Sequence, residues 1–426
     1  MRTLFAAVLV LVAATTACGI ECVEPVGGAT VSQLRPAQAK FVRESMEERE
    51  KYFDDGPNAK ALKADRSAPL PVKFAWSGGK APFRLTVRRM PDGKVFHSSE
   101  HKRRHADVDS LEIAREWEWT VSDGTETATG RFRTEDQGPR LIRINGVANA
   151  RDIGGWIGLG GRRIRQGLLF RTAGLNDNAP IEYYSLDEIK KLHAEGRLAG
   201  MGKAGKTHAD QLDRGEKLRE KDMRLVKRSC YAPGKERLTA EERARILSLY
   251  GFKTDIDLRG PEEVYGMTES PLGSSVTWVN IPHKGGYGSF ANEKYFDCKR
   301  QVFRTMFNTN SYPVVFHCIG GADRTGTIAF MIEALLGVDT NTLALDYLTT
   351  GFIAGVTDAK HKGWFNAMMK TLNDLPGDTN SEKMNGVFLR MGFSQKEIDD
   401  FREFMLEPRP ADCFNQKQKE GGNHEK

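Results

Sequence analysis

Two patterns of apolar and polar residues follow one another along this chain, and they predict two kinds of domain. Between residues 68 and 136, apolar side chains alternate with polar ones over short segments separated by Gly- and Asp-containing turns. Alternation with a period of two puts the apolar side chains on one face of a strand. Several short strands at close spacing predict a small all-β sandwich. The alternating apolar positions are Phe74, Trp76, Phe83, Leu85, Val87, Trp117, Trp119, Val121 and Phe132.

A second pattern begins at Pro139 and continues to about residue 407. Short apolar runs typical of buried strands alternate here with stretches of helical periodicity. Thr239 is a suitable N-cap for a helix predicted over 240–250. Strands that alternate with helices predict an α/β domain with a central, mostly parallel sheet flanked by helices. The predicted strands cover 141–144, 168–171, 254–258, 275–281 and 313–316, and an apolar helix covers 326–336.

The first 67 residues predict an export signal followed by a connecting segment. Leu4–Ala14 is an unbroken apolar run after Met1-Arg2, and small residues lead to Cys18. This is the pattern of a signal peptide over residues 1–17, and the chain is expected to be exported. Two outcomes stay open: a periplasmic or cell-surface lipoprotein attached to the membrane through a lipid on Cys18, or simple cleavage and secretion. Residues 18–67 are predicted to be a helical and linker segment, with the linker over 54–68.

Composition narrows the class of protein further. A length of 426 residues suggests two or three domains. With 39% hydrophobic and 28% charged residues, the chain is neither fibrous nor fully disordered. Six cysteines are too few for a disulfide scaffold. No apolar run reaches the roughly 18–20 residues that a membrane-spanning helix needs.

The formal net charge of +6 is concentrated in one segment. The stretch between Leu186 and Arg237 has poor periodicity and is predicted to be an insertion, helical in parts, within the α/β domain. It contains 14 Lys or Arg and nine Asp or Glu, whereas residues 408–426 form a polar tail. This distribution argues against a nucleic-acid partner. Either the insertion flanks the active site and attracts an anionic substrate or a membrane surface, or its charge is only solvated surface.

The chemistry-bearing segment runs from Val315 to Gly326. It puts Cys318 after a predicted strand and Arg324 six positions later, just before a predicted helix. A thiol attacks as the thiolate, and free N–H groups at a helix N-terminus favour an anion. Arg324 offers a planar, two-pronged donor for phosphate oxygens, and Thr325 can donate its hydroxyl toward the sulfur. The rest of this predicted phosphate-binding loop comprises His317, which can brace it, and Ile319, Gly320, Gly321, Ala322 and Gly326.

The segment "HCIGGADRTG" resembles the signature of the cysteine-dependent protein tyrosine phosphatase superfamily: His-Cys, five residues, Arg, then Thr or Ser. Three further stretches, "NARDIGGW", "GLLFRTAGL" and "DLRGPEE", resemble motifs of the bacterial tyrosine phosphatase family, although Ile153 and Gly260 replace the usual Leu and Ser. The resemblance covers 139 to about 407. It implies an α/β phosphatase domain with a phosphocysteine intermediate, and supporting roles for Asn149, Arg151, Asp152 and Arg259. Residues 68–136 resemble a fibronectin type III or Ig-like module.

The reaction also needs a general acid that protonates the leaving oxygen. Asp323 lies within the loop directly before Arg324, and this ending resembles the loops of lipid phosphatases in which the aspartate is proposed as the acid. Asp257 ends the strand of "DLRGPEE", where relatives of the bacterial family are thought to hold an acid. Both assignments stay open, with a preference for Asp323 because the chain itself brings it close to Cys318. Each carboxylate could instead be structural.

No metal or cofactor is expected. His97, His101 and His105 are four residues apart, but they lie in a Lys/Arg-rich stretch that we interpret as a solvated loop. The expected substrate is a phosphorylated protein or peptide, with dual specificity left open. A phospholipid or inositol phosphate is the alternative, although Ala322 does not supply an additional loop cation. A non-catalytic anion-binding or surface-interaction module and a sulfurtransferase are the competing classes.

Overall fold

The computed structural model describes residues 19–45, 47–49, 67–176, 181–218, 225–229, 237–261, 263–264, 267–352 and 358–408. The predicted export signal, Cys18, nearly all of the predicted linker and the tail beyond residue 408 lie outside these ranges. The chain divides into two compact units. The first combines the residues up to Gln33 with Leu70–Asp136, and the second combines Leu34–Pro69 with the residues from Gln137 onward.

The first unit is built from two sheets around one apolar core. One sheet has the order β1-β3-β6 and the other the order β2-β8-β7-β4-β5. Burial alternates along β7, as the sequence pattern predicts, and Phe74 packs edge-on against Trp119 with 5.2 Å between ring centroids. The strands are β1 (Glu21–Glu24), β2 (Thr30–Val31), β3 (Val72–Ser77), β4 (Phe83–Met90), β5 (Val95–His101), β6 (His105–Val108), β7 (Glu116–Ser122) and β8 (Thr127–Thr134).

Two expectations for this region are wrong. The segment 18–67 is predicted to be helical and linker, and a helix is present over Pro36–Arg43, but its first part forms β1, which pairs with β3, and β2, which pairs with β8. Both strands are short and mostly exposed, so they carry no alternating apolar signal. The three histidines do not lie in a loop, because His97 and His101 are in β5 and His105 begins β6. The resemblance to a fibronectin type III module stays a prediction.

The second unit contains a five-stranded sheet with the order β14-β13-β15-β10-β9. Four strands run parallel, and β9 pairs antiparallel with β10. Val314 and Phe316 of β15 pack into one apolar cluster, and Val315 packs into another. Both faces of the sheet are therefore covered, as expected for an α/β domain. The strands of this unit are β9 (Arg151–Asp152), β10 (Leu169–Thr172), β11 (Ile181–Tyr183), β12 (Val226–Ser229), β13 (Thr254–Asp257), β14 (Thr277–Asn280) and β15 (Val314–His317).

The two helices that the sequence predicts individually in the α/β domain, over 240–250 and 326–336, are both present in the second unit. The predicted helix over 240–250 is present, with the Thr239 hydroxyl accepting a hydrogen bond from Glu242 N and Gly251 ending the helix at φ +64°. The α-helices are α1 (Pro36–Arg43), α2 (Leu186–Ala194), α3 (Gly202–Asp213), α4 (Ala240–Tyr250), α5 (Phe296–Phe307), α6 (Arg324–Leu335), α7 (Thr340–Thr349), α8 (Asp358–Asn373), α9 (Asn380–Arg390) and α10 (Gln395–Met405). Among the described residues, no helix is both long and apolar enough to cross a bilayer.

The strand expected over 141–144 is not formed. Leu141 and Ile144 make only isolated bridges, to Arg151 and Val147. The chain turns back at once after Ile144, whose carbonyl accepts a hydrogen bond from Val147 N. The apolar side chains of this segment are buried, so their burial rather than a strand explains the pattern.

The region interpreted as an insertion has a small core of its own. It begins with the capped helix α2, includes α3, and contains β12, which pairs antiparallel with β11 just before the insertion. Its buried apolar residues are Ile189, Leu192, Leu198, Ala209 and Leu225. Local packing of this kind allows a segment to be added to a domain without changing the sheet.

Candidate active site

The loop from Cys318 to Asp323 connects β15, the middle strand of the sheet, to the N-terminus of α6. Strands β13 and β10 flank β15 in parallel register, so their C-terminal ends lie at the same edge as the loop. This is the edge at which parallel α/β sheets bind ligands. Cys318 is buried, with 2% of its surface exposed, and Ile319 next to it is exposed.

Three successive carbonyl groups of the loop are held from one side. Gly174 N donates to Ile319 O at 2.9 Å, Asn149 Nδ2 to Gly320 O at 3.1 Å, and Arg171 Nη2 to Gly321 O at 2.9 Å. In a planar trans peptide the N–H points opposite to the C=O. The N–H groups of residues 320–322 therefore face away from these partners.

These inner N–H groups are available to a ligand. From residue 319 to 323, no backbone N–H donates a hydrogen bond to another described residue. Gly321 has φ +67°, and a Cβ there would approach Thr172 O to 2.4 Å, so only glycine fits this turn. The loop thus offers converging donors to an anion above Cys318.

A buried charge cluster lies beneath the loop. Asp346 of α7 accepts from Arg151 Nε at 2.8 Å and from Arg171 Nη1 at 2.6 Å, and all three side chains are about 1% exposed. Burial and the neighbouring Arg151 lower the pKa of Arg171 to about 10, which still leaves it protonated at neutral pH. Burial and the charge of Asp346 raise the pKa of Glu333 well above its usual range, which favours its neutral form. Two arginines against one ionised Asp346 leave positive potential behind the loop.

Arg324 is held by Glu263 from "DLRGPEE". Its Nη1 and Nη2 atoms donate to Glu263 Oε2 at 2.6 Å and Oε1 at 2.9 Å, and Nη1 also donates to Leu258 O at 3.3 Å. Burial alone would raise the pKa of Glu263, but hydrogen bonds from Arg324 and Gly260 N hold it below its usual value. Arg324 Nε donates to no described residue. The edge of the guanidinium that carries Nε remains available for phosphate oxygens.

Asp257, one candidate for the general acid, is fully buried in an ion pair with Arg259. Arg259 donates to both of its carboxylate oxygens, at 2.9 Å from Nε and 2.7 Å from Nη2. Burial alone would raise the pKa of Asp257, but the charges of His317 and Arg259 outweigh it and lower the pKa. His317 Nε2 lies 3.0 Å from Asp255 Oδ1, and its pKa is raised by Asp257 and Asp255 against the effect of burial. An ionised, enclosed carboxylate of this kind is a poor proton donor.

Asp323 and Thr325 have different surroundings. Asp323 is partly exposed, and its Oδ1 atom is buried without a hydrogen-bond partner among the described residues. The hydroxyl of Thr325 is likewise buried and unpartnered within that part of the chain, so the expected hydrogen bond to Cys318 is not formed. Gly326 allows the first turn of α6 to approach the ring of Tyr347, which a Cβ would meet at 2.7 Å.

Sequence reasoning did not single out several of the residues around the loop. Arg171 stands in a quoted motif, but Asp346 carries no local signal because it reaches the site from α7. His283 is 7% exposed, and neither ring nitrogen has a hydrogen-bond partner among the described residues. Burial, Lys299 and Arg324 lower its pKa to about 3, so it is neutral. The backbone N–H of His283 donates to Leu258 O, which also accepts a hydrogen bond from Arg324 Nη1.

The supporting residues named from the resemblance separate into two groups. Asn149 contacts the loop directly, and Arg151 reaches it through Asn149 and Asp346. Asp152 instead pairs with Arg140 at 2.6 Å and accepts from Gly154 N and Gly167 N, so it braces a turn away from the loop. Arg259 faces Asp257 and Asn176. Among the described residues, no group of His, Cys, Asp and Glu is arranged to hold a metal ion.

Comparison with known proteins agrees with this geometry. The sequence model described as "Tyrosine phosphatase family" matches residues 142–192 and 232–407, more than half of the chain. The chain therefore belongs to the tyrosine phosphatase family. Residues 193–231, within the insertion, lie outside the match.

One curated relative is a Cupriavidus necator protein named "Putative tyrosine-protein phosphatase". It is 24% identical over 221 residues, which cover 50% of this chain and 63% of the relative. A β-glucuronidase structure from Parabacteroides merdae aligns with 58% of this chain and 26% of that chain, at 13% identity and a TM-score of 0.12. A TM-score this low supports no conclusion about fold or function.

Proposed function

We propose that this chain hydrolyses phosphate monoesters through a phosphocysteine intermediate, with phosphotyrosine in proteins or peptides as its substrate. The observation that carries the proposal is the loop: its outward carbonyls accept hydrogen bonds, and its inner N–H groups have no partner among the described residues. Such a cradle stabilises the charge that develops on a transferring phosphoryl group.

In the proposed reaction, Cys318 Sγ attacks phosphorus while the loop N–H groups and Arg324 hold the non-bridging oxygens. The P–O bond to the leaving group breaks, and a carboxylic acid gives its proton to that oxygen. Water then attacks the phosphocysteine, returns a proton to the carboxylate and releases phosphate and the thiolate. We assign the acid role to Asp323, because its Oδ1 has no partner within the described residues, whereas Asp257 is enclosed by Arg259.

The central test compares the wild type with Cys318→Ser in hydrolysis of p-nitrophenyl phosphate. We expect kcat to fall on the order of 10³-fold or more, because the nucleophile is removed. Cys298→Ser is the matched control: Cys298 is also a free cysteine, but it lies on α5, and its change should leave kcat within about twofold. Retained activity in Cys318→Ser would contradict the mechanism.

Substrate class is tested with the same wild-type enzyme. The proposal expects the highest kcat/KM for phosphotyrosine peptides, a lower value for phosphoserine peptides, and a lower value for phosphoinositides in vesicles. A preference for phosphoinositides would replace the protein-substrate assignment with the lipid alternative. Equal rates on phosphotyrosine and phosphoserine peptides would indicate dual specificity.

We also propose that the protein is exported, on the sequence of its first 18 residues alone. Expression of the full chain in a bacterial host should give a shortened protein outside the cytoplasm. The wild type should be found in the membrane fraction and Cys18→Ala in the soluble exported fraction if Cys18 carries a lipid. Identical fractionation of the two would reject lipid attachment, and an unshortened cytoplasmic protein would reject export.

A further inference from the structure

Asp346 of α7 is connected to the Cys318 loop through Arg171. Arg171 Nη1 donates to Asp346 Oδ2 at 2.6 Å, and Nη2 of the same guanidinium donates to Gly321 O at 2.9 Å. The side chains of Arg171 and Asp346 are each 1% exposed, so water does not compete for these hydrogen bonds. The planar guanidinium therefore transmits the position of the carboxylate to the peptide that joins Gly321 to Ala322.

A second connection leads from the same carboxylate to the preceding peptide of the loop. Arg151 Nε donates to Asp346 Oδ1 at 2.8 Å, and Arg151 Nη1 donates to Asn149 Oδ1. The amide of Asn149 then donates from Nδ2 to Gly320 O at 3.1 Å. One carboxylate on α7 thus holds two successive peptides of the loop. The N–H groups of these peptides, those of residues 321 and 322, point to the opposite side.

The carboxylate of Asp346 is ionised although it is buried. Burial alone would raise the pKa of Asp346, but the charges of Arg151 and Arg171 outweigh burial and lower it. Buried ion pairs can often be replaced by apolar side chains of similar volume without loss of stability. Stability is therefore a weak reason for this cluster, and its two connections to the loop supply a stronger one.

We propose that Asp346 is a positioning residue: its carboxylate orients Arg171 and Arg151 so that both loop peptides present their N–H groups to the phosphoryl oxygens. This inference rests on the proposed function, in which the loop holds the transferring phosphoryl group. Asp346 acts through the two arginines and needs no contact with the substrate. Because the two connections meet at one carboxylate, its loss frees both peptides at once.

The test uses inorganic phosphate as an inhibitor, because charge and position predict opposite results for Asp346→Asn. Removing a negative charge from beneath the loop would by itself strengthen the binding of an anion. Loss of positioning weakens it, because the asparagine amide has one acceptor oxygen in place of two and its NH₂ group faces an arginine donor. We expect the inhibition constant for phosphate to rise about 10-fold and kcat for p-nitrophenyl phosphate to fall about 10²-fold.

Asp152→Asn is the matched control. Asp152 is also a buried carboxylate paired with an arginine, at 2.6 Å from Arg140, and it braces a turn away from the loop. Both variants should lower the melting temperature, because each leaves a buried arginine less well paired. Per folded molecule, only Asp346→Asn should change kcat and phosphate inhibition, and Asp152→Asn should keep both within about twofold of the wild type.

Asn149→Gly removes only the connection to Gly320. Asn149 has φ +58°, which glycine adopts without strain, and the change leaves Asp346 with both arginines. We expect a smaller loss than in Asp346→Asn, about three- to 10-fold in kcat. Because Asp346→Asn already releases Arg151 and Asn149, adding Asn149→Gly to it should cost less than about twofold more. Fully additive losses would show that Asn149 does not act through Asp346 and would overturn the inference.

Further outcomes decide the inference and separate it from the function on which it rests. Unchanged or tighter phosphate inhibition in folded Asp346→Asn would overturn it, since the carboxylate would then act only through its charge or through stability. If Asp346→Asn does not fold, Asn149→Gly and Arg171→Lys decide, because each disturbs one connection and leaves the carboxylate. Wild-type kcat and phosphate inhibition in both of these variants would also overturn it. Retained activity in Cys318→Ser would instead reject the proposed function, whatever the Asp346 variants do.

Discussion

Arg324 has five N–H donors, and the structure divides them among Glu263, the carbonyl of Leu258 and the site. Both carboxylate oxygens of Glu263 accept hydrogen bonds from the two terminal nitrogens, Nη1 and Nη2. The edge of the guanidinium that carries Nε is left for a ligand. The pair is only partly exposed, with 23% of the Arg324 side chain and 20% of the Glu263 side chain accessible, so solvent screens it incompletely. Glu263 thereby fixes the direction in which Arg324 presents its remaining donors.

Replacing Glu263 tests this role. Glu263→Gln cannot accept both hydrogen bonds, so Arg324 loses its orientation. We expect kcat/KM for p-nitrophenyl phosphate to fall about 10- to 100-fold and inorganic phosphate to inhibit more weakly. Glu269→Gln, an exposed glutamate shortly after Glu263, is the control and should behave as the wild type. Tighter phosphate inhibition in Glu263→Gln would mean that Glu263 competes with the ligand instead of positioning the arginine.

At the same scale, the sequence reveals only the residues that are close to one another along the chain. Cys318 and Arg324 occupy one loop, so their spacing alone suggests a phosphate site. The partners of that loop come from far away: Glu263 is 61 residues from Arg324, and Arg171 is 150 residues from the loop carbonyl it holds. Tertiary folding brings them together, and no local pattern encodes those contacts.

Helices and strands were predicted correctly where all of the residues that specify the element lie within its own segment. The helix over 240–250 has its cap, its periodicity and its terminal glycine within the segment itself. Strand β15 is a continuous apolar run that is buried on both faces, which is the expected signal for a central parallel strand. By contrast, β2 has only two residues, too few to show an alternating pattern. Its strand conformation is defined by its pairing with β8.

The loop between β15 and α6 draws its shape from elements that do not neighbour it in sequence. Asn149 comes from the turn before β9, Arg171 from β10, and Asp346 from α7. Asn149 and Arg171 donate to the loop carbonyls and hold them outward before any ligand arrives, and Asp346 fixes Arg171 in place. Preorganised donors of this kind need no rearrangement when charge develops during the reaction, which explains why so much buried charge is retained here.

At the scale of the whole molecule, the insertion is anchored next to the active site at both ends. Before it, Gly174 donates to Ile319 O of the loop, and Asn176 accepts from Arg259. After it, Arg237 donates to Gly174 O at 3.1 Å. The chain therefore leaves and re-enters the domain beside Cys318, and the basic excess of the sequence is attached at this point.

Exposed lysines on the insertion provide a test of that charge. Lys190, Lys191 and Lys206 are exposed and form no ion pair among the described residues. If their field attracts dianionic substrates, changing all three to Glu should lower kcat/KM for p-nitrophenyl phosphate about two- to fivefold at low ionic strength. The difference should vanish at about 0.5 M salt, where charges are screened within a few ångströms.

The matched control is the double variant Lys370→Glu and Lys396→Glu, which reverses charge on α8 and α10, outside the insertion. Both lysines are more than 80% exposed, so a general effect of net charge would appear there too. If kcat/KM falls only in the insertion variant and only at low salt, the positive charge of the insertion attracts the anionic substrate to the site. If the two variants have the same kcat/KM at every salt concentration, the basic excess is solvated surface without a role in catalysis.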